Sequence, residues 1–129
     1  MTTKMRNVAR TLIALSLAAP ASAFAQDIDR AIEAYNDDNY GDAAFLFFDV
    51  KENGDDPDAQ VKAEYYLAHS LYKAGLYFPA YQFYGDVFNQ GESHPYFLKA
   101  TKGLLDVAAE INDDTLIPSV INMGYSQAF

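Results

Sequence analysis

Residues 40–50 and 77–87 carry the same pattern of side-chain sizes, and no other feature constrains the fold as much. Tyr40, Ala43, Phe47 and Val50 correspond to Tyr77, Ala80, Tyr84 and Val87, each pair 37 residues apart (77 − 40, 80 − 43, 84 − 47, 87 − 50). Spacings of three and four place each set on one stripe of a helix. Ahead of the second set, Ala63, Leu67, Ala68 and Leu71 form another such stripe, and Ala74-Gly75-Leu76-Tyr77 divides the two. Gly75 can adopt the left-handed conformation that ends a helix and turns the chain back, and Pro79 is tolerable in a first turn. The small Ala68 and Ala80 let the two helix axes approach closely. Residues 62–87 therefore read as a helical hairpin. At the same offset Ala31, Ala34 and Tyr35 align with Ala68, Leu71 and Tyr72, while Lys62, Ala63 and Leu67 align with Lys99, Ala100 and Leu104. The third unit's second helix keeps apolar periodicity (Leu116, Ile117, Val120, Ile121) but lacks the tyrosine–alanine signature. The count is two clear units and a worn third.

Leu67-Ala68, Gly75, Tyr77, Ala80, Tyr84 and Val87 resemble the tetratricopeptide repeat, whose period is about 34 residues with small side chains where its helices pack. The chain departs from that pattern in its period of 37, in loops enlarged around residues 53–57 and 89–93, and in Glu64, where the family often has a large apolar residue. The resemblance covers roughly residues 27–125. It implies an all-α, tetratricopeptide-like solenoid of about three hairpins (five to six helices), whose first helices line a concave groove. It also implies partner binding rather than catalysis.

Residues 1–25 differ from everything that follows. Lys4, Arg6 and Arg10 form a basic start, residues 12–19 an apolar run broken only by Ser16, and Pro20 a helix stop. Ala21-Ser22-Ala23 and Ala23-Phe24-Ala25 are both small-x-small cleavage sites, so this stretch reads as a secretory signal peptide. Cleavage after Ala25 is favoured, leaving residues 26–129 as the repeat domain. A membrane span would need about 20 apolar residues, more than this run provides. The expected location is the bacterial periplasm, with secretion as second choice and no stable membrane anchor after cleavage. There is no cysteine, so neither disulfides nor lipid attachment through an N-terminal cysteine is open to the chain. The signal takes three of the nine basic residues with it. What remains has 6 Lys+Arg against 18 Asp+Glu, net −12 over 104 residues (129 − 25). Such a charge repels nucleic acid and anionic membrane surfaces.

The turns are punctuated by acids and prolines. Residues 36–39 (Asn-Asp-Asp-Asn) end the first helix, and Asp55 or Asp56 is placed to cap a helix that opens on Pro57. Ser93 or His94 is expected to cap the fifth helix, with Pro95 in its first turn. Asn53, Asp55 and Glu64 occupy the first, third and twelfth places of a calcium loop, but Pro57 and Asp58 fill the fifth place and the sixth, where glycine is required. Helix capping explains these aspartates better. With two histidines, no cysteine and no phosphate-loop or nucleophile motif, neither a metal, a cofactor nor an enzymatic activity is expected.

Function is therefore sought in the helix faces. Tyr40, Tyr77 and Tyr84 hold repeat-signature places and read as core. Tyr65 and Tyr72 flank His69 at spacings of four and three, sharing a face with Lys62 and Lys73 roughly opposite Glu64, Leu67 and Leu71. This face is expected to look into the groove, a solvated polar face being the plain alternative. Four of the six remaining basic residues, Lys62, Lys73, Lys99 and Lys102, fall on first helices, where the resemblance places the concave side. The resemblance further implies that lysine and asparagine there can hold a peptide's terminal carboxylate, and Asn36 lies on the same side one unit earlier. The candidate partner-binding set is thus Lys62, Tyr65, His69, Tyr72, Lys73, Lys99, Lys102 and Asn36, and the partner a protein or peptide. The expected role is an adaptor or scaffold of the cell envelope. Two others stay open: a soluble small-ligand or sugar-binding module using a tyrosine-lined groove, and the non-catalytic N-terminal part of a larger envelope or secretion protein. The apolar stretch 121–129 points to a longer chain, a covering partner, or self-association through the last helix.

Overall fold

The computed structural model describes residues 28–112, 118, 121 and 122. The stretch read as a signal peptide, and most of the stretches expected to form the third unit's second helix and the apolar end, lie outside the described residues. Among the described residues there is no strand. The helices are α1 (28–36), α2 (Tyr40–Asn53), α3 (Pro57–Lys73), α4 (Tyr77–Asn89) and α5 (Phe97–Glu110). From α2 to α5 each helix packs on the next, and α3 also touches α5.

α3 divides its apolar residues between two cores. Ala63 and Leu67 join Ala31 of α1 and Ala43, Phe47 and Val50 of α2. Tyr65 and Ala68 join Ala80, Tyr84 and Val87 of α4 and Phe97, Ala100 and Leu104 of α5. The signature positions behave alike in both hairpins: Ala43 and Ala80 are fully buried, and so are Phe47, Tyr84 and Val87, with Val50 nearly so. A methyl group at the crossing is what permits the close approach of the helices.

The turns repeat as well. At the end of α1, the Asn39 N–H donates to the Ala34 carbonyl (2.9 Å) and the Asp38 N–H to that of Tyr35 (3.1 Å). At the end of α3, Leu76 donates to Leu71 (2.9 Å) and Gly75 to Tyr72 (3.0 Å), the same paired closure. Its left-handed residue is Asp38 (φ 61°) in the first turn and Gly75 (φ 80°) in the second, and Asn112 (φ 55°) follows α5. These three are 37 residues apart (75 − 38, 112 − 75). Aspartate and asparagine are the side chains that best tolerate the conformation glycine adopts freely.

Asp56 caps α3, its carboxylate accepting from the Asp58 N–H at 3.1 Å with Pro57 in the first position. Two expectations need correction. Tyr40 and Tyr77 are half-buried rather than core. Tyr40 lies at the hairpin edge, where its hydroxyl donates to Asp38 Oδ1 at 2.7 Å. The fifth helix begins at Phe97, with Tyr96 as its N-cap, not at Ser93 or His94. His94 is instead buried, its ring bonded to Glu64 of α3, and its Nδ1 accepts the Tyr96 N–H at 3.1 Å. That local bond holds residues 94–96 in a turn, so Pro95 precedes the helix.

Two glycines should respond to alanine with opposite signs. Gly75→Ala forces a side chain into the left-handed region at a cost of about 1–2 kcal/mol. Gly85→Ala, in the middle of α4 with open space where its Cβ would go, should gain about 0.5–1 kcal/mol. Urea unfolding midpoints check both, and equal shifts would contradict the turn assignment.

Candidate functional site

The odd-numbered helices enclose a cleft of about 370 Å³ lined by Tyr35 of α1, Tyr65, Tyr66 and His69 of α3, and Lys99 and Lys102 of α5. Helical spacing sets the α3 wall, because Tyr65 and His69 lie one turn apart on one face. The Tyr65 ring is parallel to that of Tyr96 (5.1 Å between centroids, 5°) and close to parallel with His69 (5.5 Å, 16°). Only 8% of Tyr65 is exposed, so it belongs to the core and to the cleft at once. Tyr66 stacks on Phe47 (5.6 Å) and meets Tyr35 edge-on (5.4 Å). Most of the aromatic surface is therefore taken up by other rings.

The cations are anchored individually. The Lys99 ammonium lies 5.6 Å from the Tyr96 ring centre. Lys102 pairs with Asp106 at 2.7 Å, a bond that raises the lysine's proton affinity. At the base of the cleft, His69 Nδ1 is 2.7 Å from the hydroxyl of Tyr84, which reaches it from α4. Burial, with Lys73 next, holds the His69 proton affinity below the ordinary histidine value. Burial also pushes Tyr65 up to about 12 and raises Tyr35. These phenols stay protonated at neutral pH, so they can donate hydrogen bonds. The cleft thus presents cations and donors in a chain that is otherwise strongly acidic.

Of the eight residues picked from sequence, Tyr65, His69, Lys99 and Lys102 come together in the cleft. Lys62 is half-buried outside it, its ammonium 5.9 Å from the Tyr66 ring centre. Tyr72 lies behind His69 (6.3 Å) and against Tyr77 at the hairpin (5.8 Å). Lys73 and Asn36 are exposed at the ends of α3 and α1 and do not line the cleft. Three contributors were missed: Tyr35 and Tyr66 in the wall, and Asp106 beside Lys102. The offset of 37 from Tyr72 offered a signal for Tyr35, whereas Tyr66 corresponds to Gly103 and had none.

A second polar cluster ties α3 to the loop before α5. Glu64 Oε2 meets His94 Nε2 at 2.7 Å and accepts from the Gln90 amide at 3.0 Å. Since His94 Nδ1 already accepts from Tyr96, Nε2 carries the proton and donates to Glu64. Asn53 turns away, donating to Asp49 Oδ1 at 2.7 Å. Among the described residues no group of three or more metal-ligating side chains assembles, and no helix is long and apolar enough to cross a membrane.

The depressed His69 proton affinity has a defined consequence for stability. The unfolded chain binds this proton more tightly, so stability falls as pH drops below about 6.5, the ordinary histidine value. Well above that value the group contributes no pH dependence. Between about pH 7 and about pH 5, His69→Gln should lose less stability in urea unfolding than the parent chain. Equal losses would mean that folding does not hold His69 neutral.

No protein-family model matches this chain, and comparison with curated proteins and with solved structures gives no match either.

Proposed function

We propose that this chain is a non-catalytic protein-interaction module of the bacterial cell envelope, a tetratricopeptide-like array of about three hairpins that holds an acidic segment of a partner protein in its cleft. The observation that carries this reading is the placement of Lys99 and Lys102 in one cleft with Tyr35, Tyr65, Tyr66 and His69. Positive charge is scarce, at 9 basic residues against 18 acidic ones in the whole chain. Two cations directed at one concavity, among protonated phenols, suit a ligand made of hydrogen-bond acceptors with negative charge. The array reading is supported by left-handed turn residues at 38, 75 and 112 and by matched burial at the signature positions. Export to the periplasm rests on the basic start, apolar run and small-x-small sites of residues 1–25. A sugar-stacking role has less support, because Tyr65 and Tyr66 already use ring surface on His69, Tyr96 and Phe47. Carbohydrate recognition by stacking needs a free face.

N-acetylated tetraglutamate with a free C-terminus is a suitable probe. It should perturb the amide signals of Tyr35, Tyr66 and Lys99. The Lys99→Ala/Lys102→Ala variant should bind it severalfold more weakly, with the gap narrowing as salt rises. Thermal stability should change little, since both side chains are exposed. Equal binding by parent and variant would send the interaction elsewhere. Perturbation of the same signals by maltotriose and not by tetraglutamate would favour the sugar reading.

A further inference from the structure

The Tyr84 side chain comes from α4 and belongs to the core, yet its hydroxyl ends at the cleft. Only 1% of it is exposed, and among the described residues its hydrogen-bond partner is His69 Nδ1. Its ring lies against the bare backbone of α5 at Gly103, so close that a Cβ there would fall inside van der Waals contact with three of its ring carbons. The hydroxyl is thereby delivered to one place and cannot swing away.

This fixes the direction of the hydrogen bond. Burial pushes Tyr84 well above the ordinary tyrosine value, so it keeps its proton. A phenolic proton buried without an acceptor costs free energy, and Nδ1 is the acceptor within reach. Tyr84 therefore donates and Nδ1 accepts. A neutral imidazole carries a single N–H, which must then be on Nε2. Among the described residues Nε2 has no hydrogen-bond partner and is not one of the buried unpaired atoms, and the ring that carries it lines the cleft.

We infer that Tyr84 is a positioning residue for the cleft: by donating to Nδ1 it holds His69 as the Nε2–H tautomer and so provides a fixed donor beside Lys99 and Lys102. The cleft then selects a ligand through its acceptor atoms, taking a carboxylate in preference to a carboxamide or an ammonium group. The selectivity rests on the acidic-segment reading above. The tautomer does not.

Nitrogen-15 NMR of the full chain labelled at histidine, at neutral pH, reads the tautomer without any ligand. His69 should show a hydrogen-bonded, pyridine-type Nδ1 and a pyrrole-type Nε2. A pyrrole-type Nδ1 would overturn the inference, whatever the variants do. In Tyr84→Phe the hydrogen-bond signature at Nδ1 should vanish and the His69 titration should move to higher pH, because the bond that favoured the neutral ring is gone. Tetraglutamate should bind this variant severalfold more weakly, and its preference over N-acetylated tetraglutamine should narrow to what Lys99 and Lys102 supply. Unchanged affinity and preference in a folded Tyr84→Phe would also overturn it. If that variant does not fold, the parent ring signals and the shift of the Nε2 proton on adding tetraglutamate decide alone. Failure of the parent chain to bind tetraglutamate would remove the acidic-segment reading and the selectivity together, leaving the tautomer to be judged on its ring signals.

Discussion

One contact organises the second half of this molecule: the ring of Tyr84 seated on the backbone of Gly103. A side chain at position 103 would hold α5 away from α4, and without one the two helices close to the thickness of an aromatic ring. The same tyrosine reaches α3 through its hydroxyl, at 2.7 Å from His69. One residue therefore sets the spacing of three helices. Van der Waals contact over the whole ring supplies the packing, and the buried hydrogen bond supplies the orientation. The cleft inherits its shape from this arrangement, since α3 and α5 furnish five of its six lining residues.

α3 is the other element on which everything converges. It gives apolar residues to both cores, aromatic residues to the cleft and a carboxylate to the loop before α5. Glu64 is a half-buried acid on a helix whose neighbours are mostly apolar. Its cost of desolvation is offset by bonds from His94 and Gln90. The cluster fixes the loop, and the loop delivers Tyr96 to the face of Tyr65. A polar contact outside the cleft thus helps to build one of its walls.

The hairpins were legible in the sequence because the residues that make them recur. Ala43 and Ala80, Phe47 and Tyr84, and Val50 and Val87 repeat because each unit needs the same crossing. Cleft residues follow no such rule. Tyr65 stands where the neighbouring units have Ile28 and Lys102, and His69 where they have Ile32 and Asp106. Each helix adds a different side chain to a shared concavity, so periodicity can indicate the face but not its chemistry. The phase of α3 and α5 was enough to find Tyr65, His69, Lys99 and Lys102, and it also drew in Lys62, Tyr72, Lys73 and Asn36, which point past the cleft. Polar bonds between distant residues left no local trace. Glu64 and His94 are separated by 30 residues, and His69 and Tyr84 by 15. The burial of His94 against α3 followed from the first of these, and the role of a core tyrosine at the cleft from the second.

The most direct test of this account is the stability of Gly103→Ala by urea unfolding. In an unencumbered helix interior the change would stabilise by about 0.5–1 kcal/mol. Here the added methyl meets a ring that is buried and held by His69. The Tyr84 ring must give way, and overpacking of this kind costs about 1–3 kcal/mol. The account predicts a net loss, accompanied by a changed His69 ring signal. A variant more stable than the parent, with that signal intact, would contradict it.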